Sequence, residues 1–343
     1  MQALFGSLPL WSLVALFAIS AAAVWFGGSR LAGYVDAITD RTGLGQAFMG
    51  MLLLGGITSL PEVAAVTTSA AAGNAPLAVN NLLGTASINI LLLAFADFIF
   101  GREALTAVAA RPVTLLQGVL SMLLATAVAM IATIGDVALF GVGAGALVLA
   151  AGAVLALWLA SNFEHRHVWE VVGGGGENDE PRHDPRSTGR LAAYIALCAL
   201  LILAAGFLLS TTADRIATET GLAAGMVGFV LVGFATSLPE VSSITAAVRM
   251  RRYQLAIGDV FGTNIFNIML IFLADLVYRG GPVLGEAGRF EVIGAMLAVF
   301  MTGIFIVGLL ERRDRTIFRM GYDALAAILV FATGLWFLSR SMG

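Results

Sequence analysis

The sequence has little charge, no lysine and a single cysteine. Charged residues make up 12% of its 343 residues, 59% are hydrophobic, and the mean hydropathy is +0.92. Soluble domains carry about 25% charged residues, so this composition excludes a soluble domain. It equally excludes disordered, collagen-like and coiled-coil chains. The lone Cys198 excludes an internal disulfide and a cysteine-rich metal site. A polytopic, all-α membrane protein remains.

Long apolar runs predict ten transmembrane helices, because one span needs about 20 mostly apolar residues. The segment between spans five and six holds a dense charge cluster, the three histidines and an unbroken glycine run. It is predicted to be a flexible linker at 161–189, between a first five-helix unit at 1–160 and a second at 190–343. The predicted spans are 9–27, 45–71, 77–99, 113–133, 137–160, 190–210, 222–248, 255–277, 290–310 and 320–339.

Arginine alone sets the predicted orientation, since it supplies all 19 basic residues. With the N-terminus outside, 15 arginines fall on the inner side and 4 on the outer side. Cytoplasmic loops carry the excess of basic residues. Both termini are therefore predicted to face outward, and the 161–189 linker to face the cytoplasm.

The chain contains an internal repeat. Residues 42–97 and 220–275 are identical at 22 of 56 positions without a gap, and both contain TSLPEV. The match ends at Asp97 and Asp275, which are predicted to be interfacial anchors or helix caps. Because each unit has an odd number of spans, the second crosses the membrane in the opposite sense. The sequence thus predicts two inverted repeats, an architecture of many secondary transporters with a midplane site.

Each TSLPEV copy places one carboxylate in the middle of a long apolar span. These acids are Glu62 and Glu240. An acid at this depth costs about 2.5–3.5 kcal/mol on insertion scales, and no basic residue lies at matching depth. A cation site is therefore predicted. Hydroxyl residues four and three positions before each acid share its helix face. They are Thr58, Ser59, Thr236 and Ser237.

Further oxygen ligands are predicted around the two acids. Pro61 and Pro239 lie inside the predicted helices and lack an N–H, so they are expected to free the carbonyls of Ile57 and Ala235. Two Thr–Asn pairs at i, i+4 add hydroxyl and amide oxygens on one helix face. Ca²⁺ takes six to eight such hard oxygens, and two glutamates balance its charge. The pairs are Thr85 with Asn89 and Thr263 with Asn267.

The segments GITSLPE, GFATSLPE, NNLLGTASINI and GDVFGTNIFNI resemble the two α-repeats of the Ca²⁺/cation antiporter superfamily, with the prokaryotic sodium/calcium exchanger branch the most similar. The resemblance implies a ten-helix antiporter of a prokaryotic cytoplasmic membrane. Its site would lie between spans two, three, seven and eight, spans one and six would move, and no cofactor would be needed. It implies Glu62 and Glu240 as acidic ligands. The further implied ligands are Thr58, Ser59, Thr236, Ser237, Thr85, Asn89, Thr263 and Asn267.

The sequence departs from the family pattern at three places. Asn267 stands where some exchangers carry Asp, and Asn80-Asn81 and Gly258-Asp259 stand where a Gly-Asn pair is usual. Asp259 precedes Asn267 by eight residues, about 12 Å along a helix, so it does not simply replace that ligand. Asp259 and Asn81 are predicted to line a cytoplasmic-side access path; a helix cap is the alternative for Asp259.

Together these features predict a secondary active cation antiporter, not an enzyme, that exchanges Ca²⁺ for Na⁺ or H⁺ by alternating access. The site would be centred on Glu62 and Glu240. The predicted partners are inorganic cations and the lipid bilayer, with no nucleic acid. One alternative is H⁺-coupled exchange of a divalent cation such as Mg²⁺ or Mn²⁺. Another is a cation channel that uses the same carboxylates as a selectivity ring.

Overall fold

The computed structural model describes residues 9–100, 105–108, 110–164, 184–219, 234–311, 316–317 and 320–341. Within them, helices dominate and two short hairpins connect helices. The helices are α1 (Leu10–Thr42), α2 (Gln46–Thr58), α3 (Leu60–Ala71), α4 (Ala75–Phe100), α5 (Leu105–Val108), α6 (Pro112–Ile134), α7 (Ala144–Glu164), α8 (Thr188–Glu219), α9 (Leu238–Arg249), α10 (Tyr253–Val277), α11 (Arg289–Glu311) and α12 (Tyr322–Ser341). The strands are β1 (Ala138–Leu139), β2 (Val142–Gly143), β3 (Thr316–Ile317) and β4 (Met320–Gly321).

Seven of the described helices are long and apolar enough to cross a membrane, or eight if α2 and α3 form one bent span. α4, α6, α10 and α11 coincide with predicted spans to within two residues. The predicted span at 222–248 lies partly outside the described residues. The chain is thus a helical integral membrane protein, while the count of ten spans stays a prediction.

The bundle exposes many large apolar side chains on its outer surface and buries many polar ones inside, beside its apolar core. Large apolar residues such as Ile134 and Leu123 are 81% and 61% exposed, whereas Gln117 and Glu240 are fully buried. In water this distribution would leave a wide apolar surface uncovered. It is the arrangement that a lipid environment requires, because charged residues in spans face the bundle interior.

Helices α1 and α8 run well past the predicted ends of spans one and six. The predicted first span ends at residue 27, whereas α1 continues to Thr42. Asp36 and Asp40 are part of this helix, and they pair with Arg252 at the start of α10. The Arg252 Nε lies 2.7 Å from Asp36 Oδ1 and its Nη2 lies 3.1 Å from Asp40 Oδ2. Because the charges are paired, the helix does not have to end before them.

The last helix of each half begins later than predicted, behind a hairpin. Strands β1 and β2 pair antiparallel around Phe140 and Gly141, which both have positive φ. A two-residue turn of this kind matches the twist of the two strands. Strands β3 and β4 pair in the same way before α12. The predicted span at 137–160 therefore starts too early, because short apolar strands look like helix starts in sequence, whereas the predicted span at 320–339 starts within two residues of α12.

The predicted linker at 161–189 is shorter than expected. Helix α7 continues to Glu164 and α8 begins at Thr188, whereas residues 165–183, which include the three histidines, lie outside the described residues. The end of the linker docks on α1: Arg41 Nη2 donates to the Asp184 carbonyl at 2.6 Å. The Arg186 guanidinium stacks 4.9 Å from the Tyr34 ring centroid. The last residues of the predicted linker thus contact α1, while the linker itself stays a prediction.

Asp97 and Asp275 join the two halves reciprocally. Asp97 accepts hydrogen bonds from the backbone N–H of Leu105 at 2.6 Å and of Gly321, in the second half, at 2.7 Å. Asp275 accepts from the N–H of Val283 at 2.7 Å and from that of a glycine in the first half, at 2.6 Å. That glycine is Gly143. All four contacts follow the register of the internal repeat. Each acid accepts a hydrogen bond from a backbone N–H of the opposite half. This role goes beyond the interfacial anchor or helix cap that the sequence predicts.

Candidate functional site

Glu62 and Glu240 occupy equivalent places on two short helices. Glu62 lies in the first turn of α3, which meets α2 at a 45° bend, and Glu240 lies in the first turn of α9. Both are fully buried. The positive end of a helix dipole favours a carboxylate in this position.

The bend corrects the prediction of one continuous helix over 45–71. Pro61 and Pro239 lie in the first turns of α3 and α9 rather than within a longer helix. Proline is tolerated there because the first N–H groups of a helix have no intrahelical partner. Each proline therefore marks the start of a new helix, and the acid that follows the proline lies at the N-terminal end of that helix.

Several buried oxygens lack a well-formed hydrogen bond within the described residues. Both carboxylate oxygens of Glu62 and both of Glu240 belong to this group. Buried polar atoms normally have partners, and a buried carboxylate without one is strongly destabilising. Such atoms are therefore available to a cation. Some of the predicted neutral ligands also have a buried oxygen without a well-formed hydrogen bond among the described residues. These atoms are Thr85 Oγ1, Asn89 Oδ1, Asn267 Oδ1 and Ser237 Oγ.

Residues from both halves meet at Thr58. Its Oγ1 lies 3.2 Å from Thr263 Oγ1 and also 3.2 Å from Asp259 Oδ1. Thr58 also lies close to the Glu240 carboxylate, which interacts electrostatically with Glu62 and Asp259. The structure thus brings Thr58, Thr263 and the two predicted acids into one region between α2, α3, α9 and α10.

Close helix packing creates this meeting. A Cβ at Gly55 would lie 2.6 Å from the Thr263 backbone nitrogen, and one at Gly262 would overlap the Met51 backbone. Glycine alone allows two helix backbones to approach this closely, as in small-xxx-small helix pairs. Gly55 and Gly262 therefore let α2 and α10 place Thr58 and Thr263 in contact.

The hydroxyls of the first TSLPE segment also bond to their own helix. Thr58 Oγ1 donates to the Leu54 carbonyl at 2.9 Å, and Ser59 Oγ donates to the Gly55 carbonyl at 2.6 Å. Hydroxyls in helices commonly bond back to the i−4 carbonyl in this way. Because a hydroxyl that donates keeps two lone pairs, both oxygens can still bind a cation.

Asn264 is a site residue that the sequence reasoning missed. Its Nδ2 donates to the Ala86 carbonyl at 3.2 Å, so its Oδ1 is left to accept from Asn89 Nδ2 at 3.1 Å. This turns the Asn89 amide so that its Oδ1 stays without a hydrogen bond in the described structure. The available signal was the difference between GTASINI and GTNIFNI, where Asn264 replaces Ala86.

Asp259 does not cap a helix. It is fully buried and lies beyond the first turn of α10, so the cap alternative is wrong. Its Oδ2 accepts a short hydrogen bond from Ser243 Oγ, a contact that the sequence reasoning missed. Asn81, at the equivalent place on α4, is partly buried, and its Nδ2 has no partner in the described part of the chain. The access-path role of both residues stays a prediction.

The arrangement suits a hard cation bound mainly by neutral oxygens. Within the described residues, no three His, Cys, Asp or Glu side chains form a group that could hold one metal ion. Glu62 and Glu240 lie among hydroxyl and amide oxygens, ligand types that Ca²⁺ takes, and a third buried acid, Asp259, lies beside them. No catalytic nucleophile–base pair is needed to explain these residues.

Known proteins resemble the chain over most of its length. The family model described as sodium/calcium exchanger protein matches residues 12–162 and 190–340. The putative antiporter CaxA of Alkalimonas amylolytica is 24% identical over 298 residues, which cover 85% of this chain and 89% of that one. The inner membrane protein YrbG of Escherichia coli is 27% identical over 277 residues, which cover 78% and 81%.

A solved structure shares the fold. The sodium-calcium exchanger NCX_Mj, soaked with Na⁺ and Sr²⁺, superposes with a TM-score of 0.71 at 17% sequence identity, covering 96% of this chain and 99% of that one. At this identity the likeness concerns the fold alone. The two family matches together cover more than half of the chain, and on that ground the chain belongs to the sodium/calcium exchanger protein family of cation antiporters.

Proposed function

We propose that this protein is a secondary active antiporter that exchanges Ca²⁺ for Na⁺ or H⁺ at a site centred on Glu62 and Glu240. One observation carries the proposal: four carboxylate oxygens, at equivalent places of two related segments, are buried without a well-formed hydrogen bond among the described residues. A divalent cation neutralises both acids. The name of a relative in Methanosarcina acetivorans, sodium/calcium exchanger MaX1, 27% identical over 39% of each chain, supports the choice of ions.

The proposed ligands come from both halves. Glu62 and Glu240 supply the charge, and the neutral oxygens complete a coordination shell of the size that Ca²⁺ prefers. Because Glu62 lies on α3 and Glu240 lies on α9, an ion bound by both acids would hold these two helices together. The proposed neutral ligands are Thr58, Ser59, Thr236, Ser237, Thr85, Asn89, Thr263 and Asn267.

The proposed architecture is ten spans in two inverted five-helix repeats, with both termini outside and the central linker cytoplasmic. Two observations support it. The family model matches two segments, 12–162 and 190–340, whose starts are offset by the same shift that aligns the two TSLPEV copies. Asp97 and Asp275 make equivalent contacts across the two halves. Alternating access between inverted repeats keeps the site in place while its two sides open in turn.

Coupling follows from the charge of the site. When Ca²⁺ leaves, Glu62 and Glu240 stay buried and unbalanced, so the empty site changes its orientation slowly. The counter-ion restores the balance and lets the return step proceed. Competition of the two ions for the same oxygens therefore links the two fluxes.

The test is Ca²⁺ uptake into proteoliposomes under an imposed Na⁺ or H⁺ gradient. The proposal predicts uptake that one of the gradients drives and that Glu62→Gln abolishes. The matched control is Glu291→Gln, since Glu291 is also buried but accepts a hydrogen bond from the Gly288 N–H at the start of its own helix. Ca²⁺ flux without a driving gradient, or flux unchanged in Glu62→Gln, would refute the proposal. Single-channel currents would indicate a channel instead.

A further inference from the structure

Two turns at equivalent places of the internal repeat share one backbone form. Gly73 follows α3 with φ 81°, and Arg251 follows α9 with φ 59°. The next residue of each turn donates its N–H to the carbonyl five positions earlier, at 3.0 Å for Asn74 and at 2.9 Å for Arg252. This is the Schellman helix ending, in which glycine is usual at the left-handed position. The second half therefore keeps the turn although a non-glycine residue is strained there.

The two turns present unlike side chains. Asn74 is exposed, and its Oδ1 accepts a hydrogen bond from the Leu77 N–H at 3.1 Å, as a neutral helix cap does. Arg252 is only 1% exposed, and its guanidinium pairs with Asp36 and Asp40 of α1. The second half thus has a buried cation where the first half has an exposed amide.

The two turns lie at opposite ends of the bundle. Helices α4 and α10 run antiparallel, since Leu82 near the start of α4 and Ile271 near the end of α10 line one pocket. Because Asn74 precedes α4 and Arg252 precedes α10, the amide lies at one end and the ion pair at the other. With the orientation that the arginine distribution predicts, the Arg252 end faces the cytoplasm.

The ion pair depends on close contact of α1 with the start of α10. The exposed fractions of the side chains are 2% for Arg252, 1% for Asp36 and 15% for Asp40. Removal of one partner leaves a charge buried and uncompensated, which is strongly destabilising. If α1 and α10 separate at this end, water solvates the same charges. Arg252 therefore stabilises the closed arrangement of this end relative to an open one.

Helix α1 also packs closely on α9 beside Glu240. A Cβ at Gly28 of α1 would overlap Ser242 Oγ of α9 and would lie 2.9 Å from the Pro239 carbonyl. Access to Glu240 between α1 and α9 from this end thus requires that α1 moves away. That movement breaks the contacts of Arg252, because the Arg252 turn directly follows α9.

We propose that Arg252, with Asp36 and Asp40, is a latch that holds the cytoplasmic end of the bundle closed and makes the resting transporter face outward. The latch rests on the proposed alternating-access function and adds an energy difference between its two orientations. Because Asn74 is neutral, the equivalent turn of the first half supplies no such charge at the outer end.

The experiment measures how fast a membrane-impermeant maleimide labels one thiol on α9 in inverted membrane vesicles, which present the cytoplasmic side. Ser242→Cys supplies the thiol at the contact with Gly28, and Cys198→Ser removes the native one. Arg252→Gln should raise the labelling rate at least about tenfold, because the closed end then contains buried acids without their cation. An unchanged rate would overturn the latch and leave the proposed antiport function intact.

Arg251→Gln is the matched control, since Arg251 is exposed in the same turn. It should leave the labelling rate unchanged. Equal acceleration in both arginine variants would contradict the latch. So would faster labelling of Arg252→Gln in right-side-out vesicles, because it would indicate a general loosening of the fold.

Asp40→Asn serves if Arg252→Gln does not fold, because Asp40 is the more exposed of the two acids. It should raise the labelling rate about 2- to 5-fold, as for the loss of one partly exposed ion pair. An unchanged rate in this variant would contradict the latch.

Transport by the wild type separates the two proposals. Gradient-driven Ca²⁺ uptake together with unchanged labelling in the variants would overturn the latch alone. Absence of gradient-driven Ca²⁺ uptake would remove the antiport function, and with it the latch.

Discussion

The two repeated halves of the chain agree where they hold the fold and differ around the two buried glutamates. Asp97 and Asp275 bind equivalent backbone groups, each with one hydrogen bond of 2.6 Å and one of 2.7 Å. Around Glu240, by contrast, the second half has Asp259 and Ser243 at the positions where the first half has Asn81 and Ala65. A duplicated scaffold thus carries an asymmetric polar centre. The asymmetry lies in the surroundings of Glu240, whereas the two acids themselves occupy equivalent places on α3 and α9.

The largest expected effect tests the equivalence of the two acids. Glu62→Gln and Glu240→Gln should each weaken Ca²⁺ binding by at least about 100-fold, because ligand loss exceeds the 10- to 100-fold effect of outer-shell partners. Equilibrium binding of radioactive Ca²⁺ to the purified protein measures both. A difference of more than about tenfold between the two variants would contradict their equivalence.

A smaller effect tests Asn264, which the first half lacks. Asn264→Ala should weaken the apparent affinity for Ca²⁺ about 10- to 100-fold, because the Asn89 amide loses the partner that turns its oxygen toward the site. The maximal rate should change much less. Concentration series of Ca²⁺ uptake separate the two parameters.

The control for Asn264 is Ser87→Ala, on the helix that carries Asn89. Ser87 is buried but donates only to the Leu83 carbonyl of its own helix in the described contacts. Equal losses of affinity in both variants would mean that Asn264 supports packing and does not orient Asn89.

The smallest effect on transport tests the scaffold contacts. Asp97→Asn and Asp275→Asn should each lower the free energy of unfolding by about 1.5–3 kcal/mol, because each weakens hydrogen bonds to a charged acceptor. The two losses should be similar, and transport by the folded protein should persist. Thermal unfolding in detergent measures the losses, with the exposed Glu286→Gln as control.

If one of the two aspartate variants lost transport at full stability, Asp97 and Asp275 would not be equivalent scaffold residues. That result would extend the asymmetry of the two halves to their backbone contacts.

The sequence predicts the middle of the helices better than their ends. Apolar runs locate α4 and α10 because burial and lipid contact both require apolar side chains. α1 continues past Asp36, whose partner Arg252 lies in the other half of the chain and follows no local pattern, and it ends at Gly43, which has the left-handed conformation of a helix cap. The break before α3 depends on Pro61 starting a helix, and one proline fits both a kink and a start.

The candidate site is predictable to the extent that it is repeated. Glu62 and Glu240 stand out because an acid in an apolar run is costly and both occur in the same motif. Asn264 and Ser243 do not, since each replaces an alanine of the other half and acts through a partner on another helix. Long-range contacts of this kind become visible only once the helices are packed.

The most direct test of the central claim is the position of Ca²⁺ in crystals soaked with the ion. The account predicts one difference-density peak about 2.3–2.6 Å from carboxylate oxygens of both Glu62 and Glu240, and its loss in Glu240→Gln crystals. A Ca²⁺ peak that contacts neither acid, or one that persists in Glu240→Gln, would contradict the account.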